Sequence, residues 1–365
     1  MRTRTFLATC GSLLFVGSAA MAQVPQGYPS SYQSVFDAAK KEGKVVIYTS
    51  TDAAAARSLI KDFEAAFPGI KVEYNDMNST EMYNRFISES AAGTATGDVL
   101  WSSAMDVIVK LVNDGYAMPY TSPESDAIPD WAKFQKQAYG TTFEPIGFVY
   151  NKRLLQPSEI PQTHGDFAKM LRAQPAKFKG KVSTFDIEKS GSGFLFLSQD
   201  DRIGGKGVWD VVRAMGESDV RLQSSTGTIM ERISSGENLI AYNQILSYAY
   251  AKARKDPSIG YAYPKDYTLV LSRVTFITKD AKHPNAAKLW TDYVLSKRGQ
   301  TIIANDADLF AIRGDVTGDA TISSLTKQLG TSLKPIPIGA SLLVYLDQAK
   351  RLEFLKQWKT TLKGN

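Results

Sequence analysis

Short apolar runs rich in β-branched residues alternate with longer segments of helical period along most of this chain. Lys44-Val45-Val46-Ile47-Tyr48 is such a run, of the kind a strand buried on both faces needs. Thr49-Ser50-Thr51-Asp52 follows, all helix-capping types. Leu59, Ile60, Phe63 and Phe67 then share one helical face until Pro68-Gly69 stops the helix. The same sequence of events recurs. Ile70 to Tyr74 reads as a strand, Asn78-Ser79-Thr80-Glu81 opens a helix carrying Tyr83, Phe86 and Ile87, and Asp98 to Trp101 reads as a third strand. Val107, Ile108, Leu111 and Val112 mark the next helix, which ends near Gly115.

A second unit of this kind begins with the strand Ile146 to Tyr150 and continues with Lys181 to Phe185. Ser190-Gly191-Ser192-Gly193 precedes the apolar segment Phe194 to Leu197, and Val220 to Leu222 leads into Ser224-Ser225-Thr226-Gly227 and a helix with Ile229, Met230 and Ile233. Asn238 to Tyr242 is a strand followed by a Tyr-rich helix; Val274 to Ile277 is one more, followed by a helix from Asn285 to Leu295. Leu342, Leu346 and Leu352 predict a C-terminal helix. Strand-helix alternation with short connections specifies an α/β protein with doubly wound sheets. Its length suits two such lobes with a ligand cleft between them.

The first residues address the chain to export. Arg2 and Arg4 precede an apolar, small-residue run from Phe6 to Ala19, and Ala20-Met21-Ala22 has the small-x-small spacing of a cleavage site, placed before Gln23. The predicted division is therefore a signal peptide at 1–22 and a mature, periplasmic protein. Cys10, the only cysteine, leaves with the leader, so no disulfide supports the fold. The hydrophobic fraction of 43% and charged fraction of 22% are those of a globular protein. Net charge is +6, and its basic residues are scattered rather than interleaved with aromatics, which argues against a nucleic-acid partner. A mildly positive field favours an anionic ligand.

Catalytic chemistry finds little material. His164 and His283 are the only histidines, no metal cluster of familiar spacing can be assembled, and no cofactor is expected. There is no G-x-S-x-G elbow, and Ser190-Gly191-Ser192-Gly193 lacks the Lys-Ser/Thr ending of a nucleotide-binding loop. The chain reads as a binding protein, not an enzyme, with an exported hydrolase as the competing class.

The positive signal is a set of hydroxyl-rich strand-to-helix turns: Thr49, Ser50 and Thr51; Ser79 and Thr80; Ser190, Gly191 and Ser192; and Ser225 and Thr226 after Ser224. Each precedes a helix whose first N–H groups lack intrahelical partners, an arrangement that holds anions. Any one alone serves equally as a simple helix cap; together they stand at strand ends, where open α/β sheets bind ligands. Trp101, Ser102 and Ser103 end another strand and add an aromatic wall with two hydroxyls, although Trp101 suits a core position as well. Tyr242, at the end of the strand before the Tyr-rich helix, and Gln244, two residues on, complete the candidate ligand-binding set. Arg313 offers a planar, fixed positive charge to an anion, or else a structural ion pair.

The segments AAKKEGKVVIYTS (38–50), VYNKRLL (149–155), ISSGENLIAYN (233–243) and AAKLWTDYVLSKRGQ (286–300) resemble the iron(III)-type and related solute-binding proteins of ABC transporters. The resemblance spans nearly the whole mature chain. It implies two lobes of the type II periplasmic binding protein kind, with crossing strands near Tyr139 to Gly147 and Ser272 to Thr278. Lobe 1 is then 31–142 with 273–330, and lobe 2 is 143–272 with 331–365. It also implies a monomer that delivers one small molecule to a permease in the inner membrane. Ferric relatives carry adjacent tyrosines where this chain has Ile245 and Leu246, which disfavours iron(III). Thiamine and polyamine binders are further relatives, and a sensor module would use the same closed lobes. The hydroxyl-rich turns favour a small organic anion, a phosphate ester or a phosphonate.

Overall fold

The computed structural model describes residue 30, residues 32–307 and residues 309–364; the leader lies outside them. The β-branched runs form two sheets. The first contains β1 (Lys44–Thr49), β2 (Lys71–Asp76), β3 (Val99–Ser102), β4 (Lys133–Phe134) and β5 (Ala138–Gly140). The second contains β6 (Glu144–Asn151), β7 (Val182–Phe185), β8 (Arg221–Gln223), β9 (Ile240–Ile245), β10 (Ile259–Ala262) and β11 (Thr268–Leu271). The chain then returns to the first sheet with β12 (Val274–Ile277) and later adds β13 (Leu333–Pro335) to the second.

Their orders are β2-β1-β3-β12-β5-β4 and β13-β11-β6-β9-β7-β8, with β10 paired to β6. β1 runs parallel to both β2 and β3, and β7 parallel to β8 and β9. These parallel ladders are the doubly wound units the alternation predicts, and their burial follows: every residue of β3, β7 and β9 is buried. β12 is antiparallel to β3. It reaches the first sheet from the second and so arrives from the opposite direction.

Two short segments carry the chain between the sheets, 141–143 after β5 and 272–273 after β11. They are bonded to each other: the Thr141 N–H and Oγ1 both donate to Arg273 O at 2.8 Å, and the Arg273 N–H donates to Thr142 Oγ1 at 2.9 Å. Arg273 and Glu144 meet there in a two-bond ion pair of 2.7 and 3.0 Å, both side chains wholly buried.

The C-terminal stretch follows neither half alone. β13 lies beside β11, Ala340–Leu346 packs on the Met105–Asn113 helix of the first half, and the Gln348–Lys363 helix packs on Lys206–Glu217 of the second. Phe354 and Trp358 are its buried residues. Leu352 is 61% exposed, so one of the three leucines expected to mark this helix faces water. Leu342 and Leu346 belong instead to the 3-10 turn before it.

Candidate ligand-binding cleft

Between the two sheets lies a cavity of about 290 Å³. Its walls are the turns that follow the carboxyl ends of the strands. Ser50 and Asp52 come after β1, Asp76 to Ser79 after β2, and Ser103 after β3. From the second half come Phe185, Ser190 and Ser192 after β7, Ser224 to Gly227 after β8, and Ile245 and Tyr248 after β9.

Each turn leads into a helix, so helix starts converge here. From the first half these are Ala53–Ala66, Ser79–Ala91 and Met105–Asn113; from the second, Gly191–Gly204, Thr226–Ser235 and Leu246–Ala253. Asn78, Ser190 and Ser225 accept the N–H of Glu81, Gly193 and Thr228 respectively, one cap for each of three helices. The backbone N–H groups of Ser79, Thr80, Gly191, Ser192, Thr226 and Gly227 donate to no acceptor among the described residues. Unclaimed donors at the positive ends of helix dipoles make an anion-binding surface.

The two halves touch across the cavity. Ser103 Oγ and Ser192 Oγ are 2.8 Å apart, Thr80 Oγ1 donates to Lys189 O at 3.2 Å, and the Asp52 N–H meets Tyr248 Oη at 3.4 Å. Gly191 suits this approach: a Cβ there would stand 3.0 Å from Ser79 Oγ and 3.4 Å from Ala104 Cβ, so the facing wall would have to give by a few tenths of an ångström. Ser79 itself is 5% exposed. Its hydroxyl has no hydrogen-bond partner among the described residues, although the cavity is the space it faces.

Of the residues singled out from sequence, Ser50, Ser79, Ser103, Ser190, Ser192, Ser225 and Thr226 line the cavity. Thr80 lies just outside, in a shallow polar groove continuous with it through Asn78 and Ser224, and Gly191 is at the closure itself. Others are turned away from it. Thr49 is buried and accepts the Thr51 N–H, while Thr51 Oγ1 accepts from Arg273 Nη1 at 2.8 Å. Ser102 braces the turn through Ser50 Oγ and the Ala104 N–H. Trp101 is a core residue, 1% exposed, with Nε1 donating to Thr141 Oγ1.

Tyr242 donates to the buried Asp200 at 2.8 Å, and Gln244 donates to Tyr242 O. Asn243 takes a left-handed φ of 56°, which lets it reach the same Asp200 carboxylate as its neighbour Tyr242. Arg313 has all three guanidinium nitrogens engaged, by Asp315, Glu124 and Leu295 O, and stands outside the cavity lining.

Asp76, Met77, Phe185 and Gly227 line the cavity without having been singled out. Their signal was positional, since Asp76 and Phe185 stand at the carboxyl ends of parallel strands. Asp52 is exposed to the cleft. Desolvation by the walls raises its carboxyl above the ordinary range, Arg273 opposes this, and Asp76 adds to it. Burial likewise raises the Tyr248 phenol, against Arg273. The histidines are structural: His164 pairs with Asp266, and His283 with Asp98.

Two α/β halves, joined by bonded crossings and closed on a pocket of helix N-termini, define a two-lobed binding protein of the type II periplasmic kind. The chain belongs to the bacterial extracellular solute-binding protein family, whose model matches residues 58–328. It is 38% identical to the substrate-binding protein of an ABC transporter from Agrobacterium tumefaciens, over 87% of this chain and 94% of that one, with a TM-score of 0.84. Two more distant structures share the fold. The periplasmic binding protein AfuA from Actinobacillus pleuropneumoniae, solved with exogenous fructose-6-phosphate bound, is 20% identical over 88% of this chain and 99% of that one, TM-score 0.72. Iron-bound HitA from Pseudomonas aeruginosa is 17% identical over 87% and 99%, TM-score 0.67. The protein is the solute-binding component of an ABC importer.

Proposed function

We propose that the cleft captures a small organic anion, with a phosphate ester or phosphonate favoured, and that the loaded monomer delivers it to the permease from the periplasm. The observation that carries this reading is the convergence of three helix N-termini from each half on one cavity. A tetrahedral oxyanion offers several acceptor oxygens to such unclaimed N–H groups, and the hydroxyls of Ser50, Ser79 and Ser192 add donors. No lysine or arginine lines the cavity among the described residues, so helix ends rather than side-chain cations would hold the charge. AfuA, of the same fold, has been solved with a phosphorylated sugar.

Iron has less to bind to. Ile245 presents an aliphatic side chain to the cavity, Leu246 is buried, and Tyr250 packs on Tyr261 and Phe310, leaving Tyr248 as the one phenol in the lining among the described residues. Native mass spectrometry of freshly purified mature protein, followed by denaturation, tests the proposal. A released phosphorylated or phosphonate metabolite is expected; iron, or a purely cationic amine, overturns it. The intact mass in the same experiment should correspond to a chain beginning at Gln23.

A further inference from the structure

The cleft contains a second chemistry that an anion alone leaves unused. Two carboxylates, Asp52 and Asp76, line it, and no basic side chain does so among the described residues. Asp52 stands immediately before the Ala53–Ala66 helix, where an aspartate ordinarily turns its carboxylate onto the first N–H groups. Here it makes no such bond. Asp76, from the end of β2, takes the Ala53 N–H instead, with Oδ2 at 2.9 Å. The Asp52 carboxylate is thereby left without a protein donor among the described residues, exposed to the same cavity that the unpartnered hydroxyl of the largely buried Ser79 faces.

Arg273 lies behind the wall, at 5.1 Å from the Tyr248 ring centre, but its guanidinium is committed to Glu144 and Thr51. Desolvation already raises the Asp52 carboxyl, with Asp76 adding to it and Arg273 opposing it. A ligand that brought only negative charge would add to that repulsion. A ligand with its own cation relieves it.

We infer that the ligand is a small zwitterion whose oxyanion lies on the helix N-termini and whose protonated amine is received by Asp52, with Asp76 adding negative potential. This rests on the anion reading of the same cleft. It makes Asp52 the residue that distinguishes amine-bearing from amine-free anions, because a charge-assisted bond in a partly desolvated site is lost when its donor is absent.

Calorimetric titration of the mature protein with aminopropylphosphonate, propylphosphonate and propylamine tests it. The amine-bearing phosphonate is expected to bind at least about tenfold more tightly than propylphosphonate. In Asp52→Asn, an exposed and isosteric change whose fold is checked by thermal melting, that advantage should fall below about threefold. Equal affinity of the two phosphonates in the wild type overturns the zwitterion and leaves the anion reading standing. An advantage that persists in Asp52→Asn overturns the role of Asp52. Binding of propylamine alone overturns the anion reading and the zwitterion with it. Silence toward all three probes overturns both.

Discussion

Arg273 and Arg313 are both buried arginines answered by carboxylates, yet they do different work. The Arg273 side chain is fully enclosed with that of Glu144, in the segments that carry the chain from one sheet to the other. Its remaining nitrogen, Nη1, donates to Thr51, which stands between two cavity-lining residues of the first half, and its guanidinium lies against Tyr248 of the second. Arg313 forms a fork with Asp315, two residues on, and pairs with Glu124 at 2.6 Å. Both charges are satisfied. Only the first is joined to both walls of the cleft, and nothing about either residue's own chemistry decides that.

Breaking the Arg273–Glu144 pair at the crossings has the largest expected effect. Glu144→Leu leaves a buried guanidinium without its partner and should cost about 3–5 kcal/mol in urea unfolding. Pairing it with Arg273→Met should restore much of the loss, since two apolar groups need no mutual compensation. A single-variant loss below about 1 kcal/mol would mean that the crossing segments tolerate an unpaired arginine and that the contrast with Arg313 is wrong.

Asp106 sharpens the comparison from the acid side. It is buried in the first turn of the Met105–Asn113 helix, with Oδ1 unpartnered. Burial pushes its carboxyl up to about 6, opposed by the Val107 N–H and by Arg351 of the C-terminal helix. The folded state therefore holds this proton more tightly than the unfolded chain, whose value is near 3.8. The resulting stabilisation is full below the unfolded value and is lost as the pH rises through about 6. Asp106→Asn should then be more stable than the wild type at pH 7, by on the order of 3 kcal/mol, with the difference vanishing near pH 4. Melting curves across that range check it; a difference independent of pH would refute the assignment.

Arg313→Ala comes next. It removes the guanidinium that pairs with Glu124 and Asp315 and should cost about 1–2 kcal/mol of stability while leaving the affinity for aminopropylphosphonate unchanged. A loss of affinity at constant stability would move Arg313 into the cleft. Thr51→Val is the gentlest break: removing the hydroxyl that receives Arg273 should cost about 1 kcal/mol of stability. Because Ser50 and Asp52 flank it in the cavity wall, ligand affinity should fall as well.

Local pattern made much of the architecture readable. The apolar runs at 44–48 and 274–277 became β1 and β12 because a strand enclosed on both sides needs continuous hydrophobicity, which shows in any window. Ser190 and Ser225 were readable as helix starts because capping is a bond within three residues. Short elements were not readable: β4 has two residues and β5 three, too few for a period to show. Among the turn hydroxyls, sequence could not separate Ser50, which lines the cavity, from Thr49 and Thr51, which brace the turn and the crossing segment at Arg273. Alternation stops where the strand stops, and the direction of each side chain in the turn depends on what packs beneath it.

The sequence by itself determined that this is an α/β chain whose strand-to-helix turns are rich in hydroxyls, since propensity, capping and periodicity act over a few residues. Tertiary structure alone decided which turns share a cavity, that Asp76 relieves Asp52 of its capping role, and that Arg273 rather than Arg313 stands behind the wall. Those outcomes depend on groups brought together across the sheet order and the two crossings. Contacts between residues 51 and 273 have no counterpart in any local stretch of chain.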